Sequence, residues 1–173
     1  MEHQTNNTGS TSWLRIIFVG RNPKNTAIRV VVLVAVALVV FRYVLLPIRV
    51  SGPSMEPTYH NGRINFLNCL AYCWHEPKRG DVVGIRYSGR SIMLMKRIVG
   101  LPGETIAFKR GQIYKNGDLM EEPYVILRSR WNMDPVTLGS DEYYVVGDNR
   151  SMDIHDHDHG KVKRERIVGK VLL

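Results

Sequence analysis

Residues 28–46 read IRVVVLVAVALVVFRYVLL, and how this stretch is taken decides the architecture. From Val30 to Phe41 no polar side chain interrupts the run. A helix that spans a bilayer needs about 20 mostly apolar residues, about 30 Å at 1.5 Å each. The stretch meets that length if Arg29 and Arg42 lie near the two interfaces and extend their charged ends to water. Phe41 and Tyr43 then fall where aromatic side chains collect at a membrane surface. Pro47, which lacks a backbone N–H, is predicted to end the helix. A buried core helix is the competing reading, but a segment apolar on every side is too uniform for a half-exposed helix in so small a protein. A cleaved secretory signal is the other. The small-x-small candidate near its end is Val50-Ser51-Gly52, and Pro53 directly after that cut fits a protease backbone poorly. The reading adopted is a retained anchor over residues 28–46, preceded by a tail over 1–27.

Outward from the run, charge supports a membrane role. The chain carries 24 Lys and Arg against 16 Asp and Glu, a net +8. Residues 1–46 hold five basic residues (Arg15, Arg21, Lys24, Arg29, Arg42) and one acid (Glu2), so +4, and residues 47–173 supply the other +4. Basic charge that flanks an apolar run points to topology rather than to nucleic acid. Arg15, Arg21, Lys24 and Arg29 are closely spaced before the run, whereas Arg42, Arg49 and Arg63 are spread out after it. That bias predicts a cytoplasmic N-terminus, with residues 47–173 on the outer side of the inner (cell) membrane. Residues 1–12 are polar and read as disordered, and residues 13–20 (WLRIIFVG) as a segment lying on the membrane surface.

Beyond Pro47 the texture changes to short apolar runs punctuated by Gly, Pro and Asn. Strands are predicted at 82–87, 92–99, 105–108, 112–114, 143–146 and 167–172. Asn116-Gly117 and Leu101-Pro102-Gly103 are turn signals. The exported part is therefore expected to be mainly β, with pairings distant in sequence. Two cysteines exclude a disulfide framework, and no zinc-type spacing is present. Cys69 and Cys73 leave three readings open: a disulfide, a segment dipping into the membrane beside the anchor, or core packing.

Two segments carry chemistry. In Ser51-Gly52-Pro53-Ser54-Met55-Glu56-Pro57-Thr58, Ser54 sits on a constrained turn that can expose its hydroxyl and aim a backbone N–H at a developing oxyanion. Most serines in such loops simply form turns. In Ile92-Met93-Leu94-Met95-Lys96-Arg97-Ile98-Val99-Gly100, alternation puts Lys96 on one face with Leu94 and Ile98, and Arg97 on the other. A lysine on an apolar face either reaches the sheet edge or is held neutral. Lowering its pKa by about 3 units corresponds to roughly 4 kcal/mol, and a neutral lysine can serve as a general base.

In order, the anchor, Gly52-Pro53-Ser54-Met55, Arg79-Gly80-Asp81-Val82-Val83, Lys96 through Glu104, and Val146-Gly147-Asp148-Asn149-Arg150 closely resemble the bacterial type I signal peptidase family over about residues 30–173. The resemblance implies an antiparallel β catalytic domain with a short inserted β region, at 109–141 here. It implies a Ser-Lys serine endopeptidase with Ser54 as nucleophile, Lys96 as base and Met55 following the nucleophile. Arg97, Asp148 and Arg150 fall at supporting positions. Neither cofactor nor metal is implied. The implied partners are preprotein signal peptides, cut after small-x-small motifs, together with membrane lipid and the neighbouring export machinery, and no nucleic acid.

The sequence also departs from the family pattern. Gly52 stands where many members have a serine that assists the oxyanion hole, which leaves the Ser54 N–H, with Ser51 as a further candidate. Asp153 and His155 stand at the usual Ser and Asp positions of the segment after Arg150. An aspartate beside Lys96 would favour the ammonium form, so Asp153 is expected to point away, with Ser151 or a water orienting the lysine. The tract His155-Asp156-His157-Asp158-His159 resembles a metal site in isolation, but it falls at what the family uses as a polar turn. Two other functions fit the sequence: a related protease dedicated to one pilin- or conjugation-type substrate, and an inactive membrane-tethered binding module with the same fold.

Overall fold

A computed structural model describes residues 23–88 and 92–172. The predicted tail segments 1–12 and 13–20 lie outside the described residues. The chain divides after Val40 into an N-terminal unit and a β-rich unit.

Among the described residues the N-terminal unit is one α-helix, α1 (Pro23–Val39). Proline suits its first position, where the missing N–H would have had no partner. Side chains on every side of α1, from Ile28 and Val30 to Leu38 and Val39, are exposed. The helical path continues through a π-turn at Val40–Val44. The span Lys24–Val44 is 21 residues, and an 18-residue stretch within it has mean hydropathy 2.4, long and apolar enough to cross a membrane.

Here the structure corrects the predicted bounds. The helical path starts before Ile28 and ends at Val44, and Pro47 is not its terminator. Leu45 and Leu46 instead open strand β1 (Leu45–Arg49), where they pair with Asn68 and Leu67. Strand pairing to a distant segment overrides the apolar run's helical reading. Pro47 is accommodated because β1 is an edge strand, where one missing N–H breaks no ladder.

The β-rich unit contains β1, β2 (Ile64–Asn68), β3 (Val82–Ser88), β4 (Ile92–Gly100), β5 (Thr105–Lys109), β6 (Gln112–Lys115), β7 (Asp118–Leu119), β8 (Met133–Thr137), β9 (Glu142–Val146), β10 (Gly160–Lys163) and β11 (Ile167–Leu172). They form two sheets, ordered β1-β2-β11-β3-β4-β9-β10 and β7-β6-β5-β8, and every pairing is antiparallel. The fold is thus mainly β, and all six predicted strands are present to within a residue or two at each end. Sequence reading missed β1, β2, β7, β8 and β10. These are short, and Pro47 and Pro135 interrupt two of them.

Period-2 alternation in β4 and β9 builds the core from both faces. Ile98, Tyr143 and Val145 pack with Val83, Ile85 and Ile167 on one face. On the other, Val99, Tyr144 and Val146 pack with Ile106, Phe108, Ile113, Trp131 and Leu138, joining the smaller sheet to the larger. A third cluster of Val50, Met55, Tyr59, Leu67, Val82, Met95 and Val171 lies under the Ser54 segment. Cys69 and Cys73 are both free thiols, Cys69 half-buried and Cys73 exposed.

Candidate active site

The segment after β1 is held by its backbone. Val50 donates its N–H to Arg63 and accepts from Gly62, both at 2.9 Å. Gly52 has φ of +91°, a conformation that side chains other than glycine's rarely adopt, and its N–H donates to Asn61 Oδ1. Glu56 N–H closes a turn onto Pro53 O at 3.0 Å, and Met55 is buried in the cluster below. Ser54, half-buried, is therefore fixed at both ends. Ser51 is exposed. Among the described residues no acceptor takes the Ser54 backbone N–H.

Lys96 arrives from β4, on the face of Leu94 and Ile98. Its side chain is 2% exposed, and Nζ lies 2.8 Å from Ser54 Oγ. Burial lowers the amine's pKa to about 8, and the Asp158 carboxylate opposes that fall. Both side chains open on a cleft of about 650 Å³ between the segment that carries Ser54 and β4.

On the opposite face of β4, Arg97 forks onto the fully buried Asp148, Nε to Oδ1 at 2.8 Å and Nη2 to Oδ2 at 2.6 Å. Thr58 Oγ1 donates to the same carboxylate, at 2.7 Å, and Arg97 Nη1 donates to Gly80 O. Arg150 is 1% exposed. It donates to Gly147 O and, through both terminal nitrogens, to Glu122. Its guanidinium lies over the rings of Phe108 and Trp131.

Sequence reading missed the residues that tie these parts together. Asn149 donates its N–H to Ser54 O at 3.0 Å and its Nδ2 to Pro53 O at 3.1 Å, clamping the Gly-Asp-Asn-Arg turn to the Ser54 turn. At Gly147 an added Cβ would stand 2.1 Å from Ser54 O, so only glycine allows this approach. Glu122 comes from the region read as an insertion, and nothing local in the sequence marks it as the partner of Arg150. Thr58 carries no local signal either, and His157 stands out in the sequence only as part of a tract that suggests a metal site.

The segment after Arg150 differs from its reading at Ser151 and in the histidine tract. Ser151 is not brought to Lys96; its hydroxyl is exposed and donates to Asn149 Oδ1 at 2.6 Å. Asp153 is exposed and accepts the His155 N–H, with no bond to Lys96. The tract 155–159 does not present its three histidines on one side, because it begins in a turn rather than an extended strand. His155 is exposed, whereas His157 is buried edge-on to Trp131 and accepts the Gly147 N–H at Nε2. Burial first, and the nearby Lys96 second, depress His157's pKa to about 3, so the ring is neutral. His159 Nδ1 meets Tyr144 Oη at 2.6 Å. Among the described residues no group of three or more His, Cys, Asp or Glu is arranged to hold a metal ion.

A family profile described as signal peptidase, peptidase S26, matches residues 24–173. The chain belongs to the signal peptidase family. It is 35% identical to signal peptidase I T of Bacillus subtilis over 152 residues, covering 81% of this chain and 78% of the relative. It is 36% identical to signal peptidase I S of the same organism, covering 81% and 82%. A solved signal peptidase I from Enterococcus faecalis aligns with 56% of this chain and 97% of its own length, at 24% identity and a TM-score of 0.45, too low to support an argument. As a member of the signal peptidase family the chain is an enzyme, a signal peptidase I-type peptide hydrolase that acts on the signal peptides of preproteins.

Proposed function

We propose that the chain is a membrane-anchored serine endopeptidase in which Ser54 and Lys96 form the catalytic dyad. The observation that carries this reading is a nearly inaccessible amine 2.8 Å from the hydroxyl of a half-buried serine that lines the cleft. In water that amine would be an ammonium; burial gives it a neutral form with a lone pair near physiological pH. The neutral Nζ accepts the Ser54 proton as Oγ attacks the scissile carbonyl. The Ser54 N–H, with no acceptor of its own among the described residues, donates to the oxyanion. The tetrahedral species collapses to an ester on Oγ, and the Lys96 ammonium returns its proton to the departing amine. Neutral Lys96 then deprotonates a water that hydrolyses the ester. Gly52 supplies no hydroxyl to the oxyanion.

Arg97, Asp148, Asn149 and Arg150 hold the two turns in register. The exposed apolar surface of α1 supports membrane lipid as its environment, because water would be a poor solvent for it. The basic bias before the helix supports a cytoplasmic N-terminus and a catalytic unit on the outer face. That location puts Ser54 beside exported preproteins as they leave the export machinery, cut after small-x-small motifs. Cleavage of a preprotein in detergent by the wild type, Ser54→Ala and Lys96→Ala tests the dyad. Loss in both variants with intact folding is expected, and cleavage retained in either refutes it.

A further inference from the structure

Lys96 carries more hydrogen-bonding capacity than Ser54 uses. A neutral amine has two N–H groups and a lone pair, an ammonium three N–H groups. Among the described residues Ser54 Oγ is the one hydrogen-bond partner of Nζ. An amine this buried is held in place only if something else constrains it. The structure indicates where that constraint lies. Lys96 stands between two cavities: the cleft of about 650 Å³ that contains Ser54, and a smaller one of about 90 Å³ walled by Ile85, Val145 and Val162. Leu94, Lys96 and Asp158 are the residues that line both.

We propose that Asp158 is a positioning residue for Lys96, its carboxylate attracting the amine across the small cavity and holding Nζ in line with Ser54 Oγ. This rests on the dyad reading above. Asp158 follows the buried His157, whose ring is fixed by Gly147 and Trp131, so its backbone is anchored although its side chain reaches solvent. Asp153, the nearer acid in sequence to the Gly-Asp-Asn-Arg turn, is engaged with His155.

The other ionisable groups around the amine are not placed to supply this attraction. Asp156 and Arg49 line the large cleft but not the small one, and His159 and Lys161 line the small cavity but not the cleft. His157 is neutral and accepts from Gly147. The neighbour of Lys96 across the β3 pairing is Val83, which is apolar.

The carboxylate favours the ammonium, so it raises the pH at which the base becomes active while it fixes the base's position. Removing it should therefore change two quantities in opposite senses. The test is preprotein cleavage by the full-length protein in detergent across pH 6–10. In Asp158→Asn the acid limb of kcat/KM should move below its wild-type midpoint of about 8, while the plateau kcat falls several-fold. Asp158→Glu should restore both, and Asp134→Asn, on the edge strand β8 of the smaller sheet and lining neither cavity, should change neither. The Lys96 Cε chemical shift, titrated by NMR in a Ser54→Ala background, reads the same midpoint without activity. An unchanged midpoint and plateau in Asp158→Asn overturns the proposal and leaves the dyad standing. Cleavage that survives Lys96→Ala overturns both.

Discussion

Replacing Gly147 with alanine tests whether the Gly-Asp-Asn-Arg turn sets the nucleophile's position. The new Cβ would stand 2.1 Å from Ser54 O and 2.7 Å from two atoms of the His157 ring. Ordinary contact begins at 3.4 Å, so the Ser54 carbonyl would have to withdraw by about 1.3 Å. A side chain could rotate away from such a clash, but a backbone carbonyl moves its own residue. Ser54 Oγ and its N–H would be carried off their alignment with Lys96 Nζ and with the developing oxyanion. Misplacement by about 1 Å costs about 100-fold in rate at a well-aligned site. The fold should survive, because overpacking of this kind typically costs about 1–3 kcal/mol. The expected result is therefore a folded Gly147→Ala protein whose kcat/KM on a preprotein is at least about 100-fold below wild type. Measurement of kcat/KM beside a thermal melt checks it. A folded variant within about threefold of wild type would refute the reasoning, because Ser54 would then tolerate a shift of that size.

Three further outcomes follow from the same geometry. Cleavage should rise with pH through about 8, where burial places the Lys96 amine, and at pH 6 should sit about 100-fold below its plateau, since each unit below the pKa removes tenfold of the neutral base; a flat profile from pH 6 to 10 would contradict it. Lys96→Arg should abolish cleavage without unfolding the protein, because a guanidinium stays protonated and offers no lone pair. Glu122→Gln should destabilise the protein by about 3–5 kcal/mol in urea unfolding, since it strands a buried Arg150, and pairing Glu122→Leu with Arg150→Met should recover part of that loss.

Much of the fold was legible because β4, β9 and β11 are rich in Val, Ile and Tyr and lie between turn residues, and β11 alternates cleanly. The strands that escaped were set by partners. Leu45 and Leu46 continue an apolar run, and pairing with Asn68 and Leu67 makes them a strand. Ile64–Asn68 and Gly160–Lys163 likewise take strand form beside neighbours distant in sequence. At the site, Ser54 and Lys96 could be singled out because each residue type sits oddly in its setting, a serine between prolines and a lysine among apolar residues. Glu122 sits in an unremarkable setting, and although Asn149 and His157 lie in segments that the sequence does mark, what each of the three does appears only when its partner is known.

By itself the sequence determined local and compositional properties: an apolar span, the charge that flanks it, a β-rich remainder, and two candidate reacting residues 42 positions apart. Those follow from side-chain chemistry and periodicity, which act over a few residues. The tertiary structure decided everything that depends on distance in space. It ended the α-helix at Val39 and made Pro47 an edge-strand residue. It engaged Ser151 with Asn149 rather than with Lys96 and left Asp158 as the acid lining both cavities beside the amine. Burial and through-space charge fix a lysine's basicity, and neither is a property of the lysine's immediate neighbours in the chain.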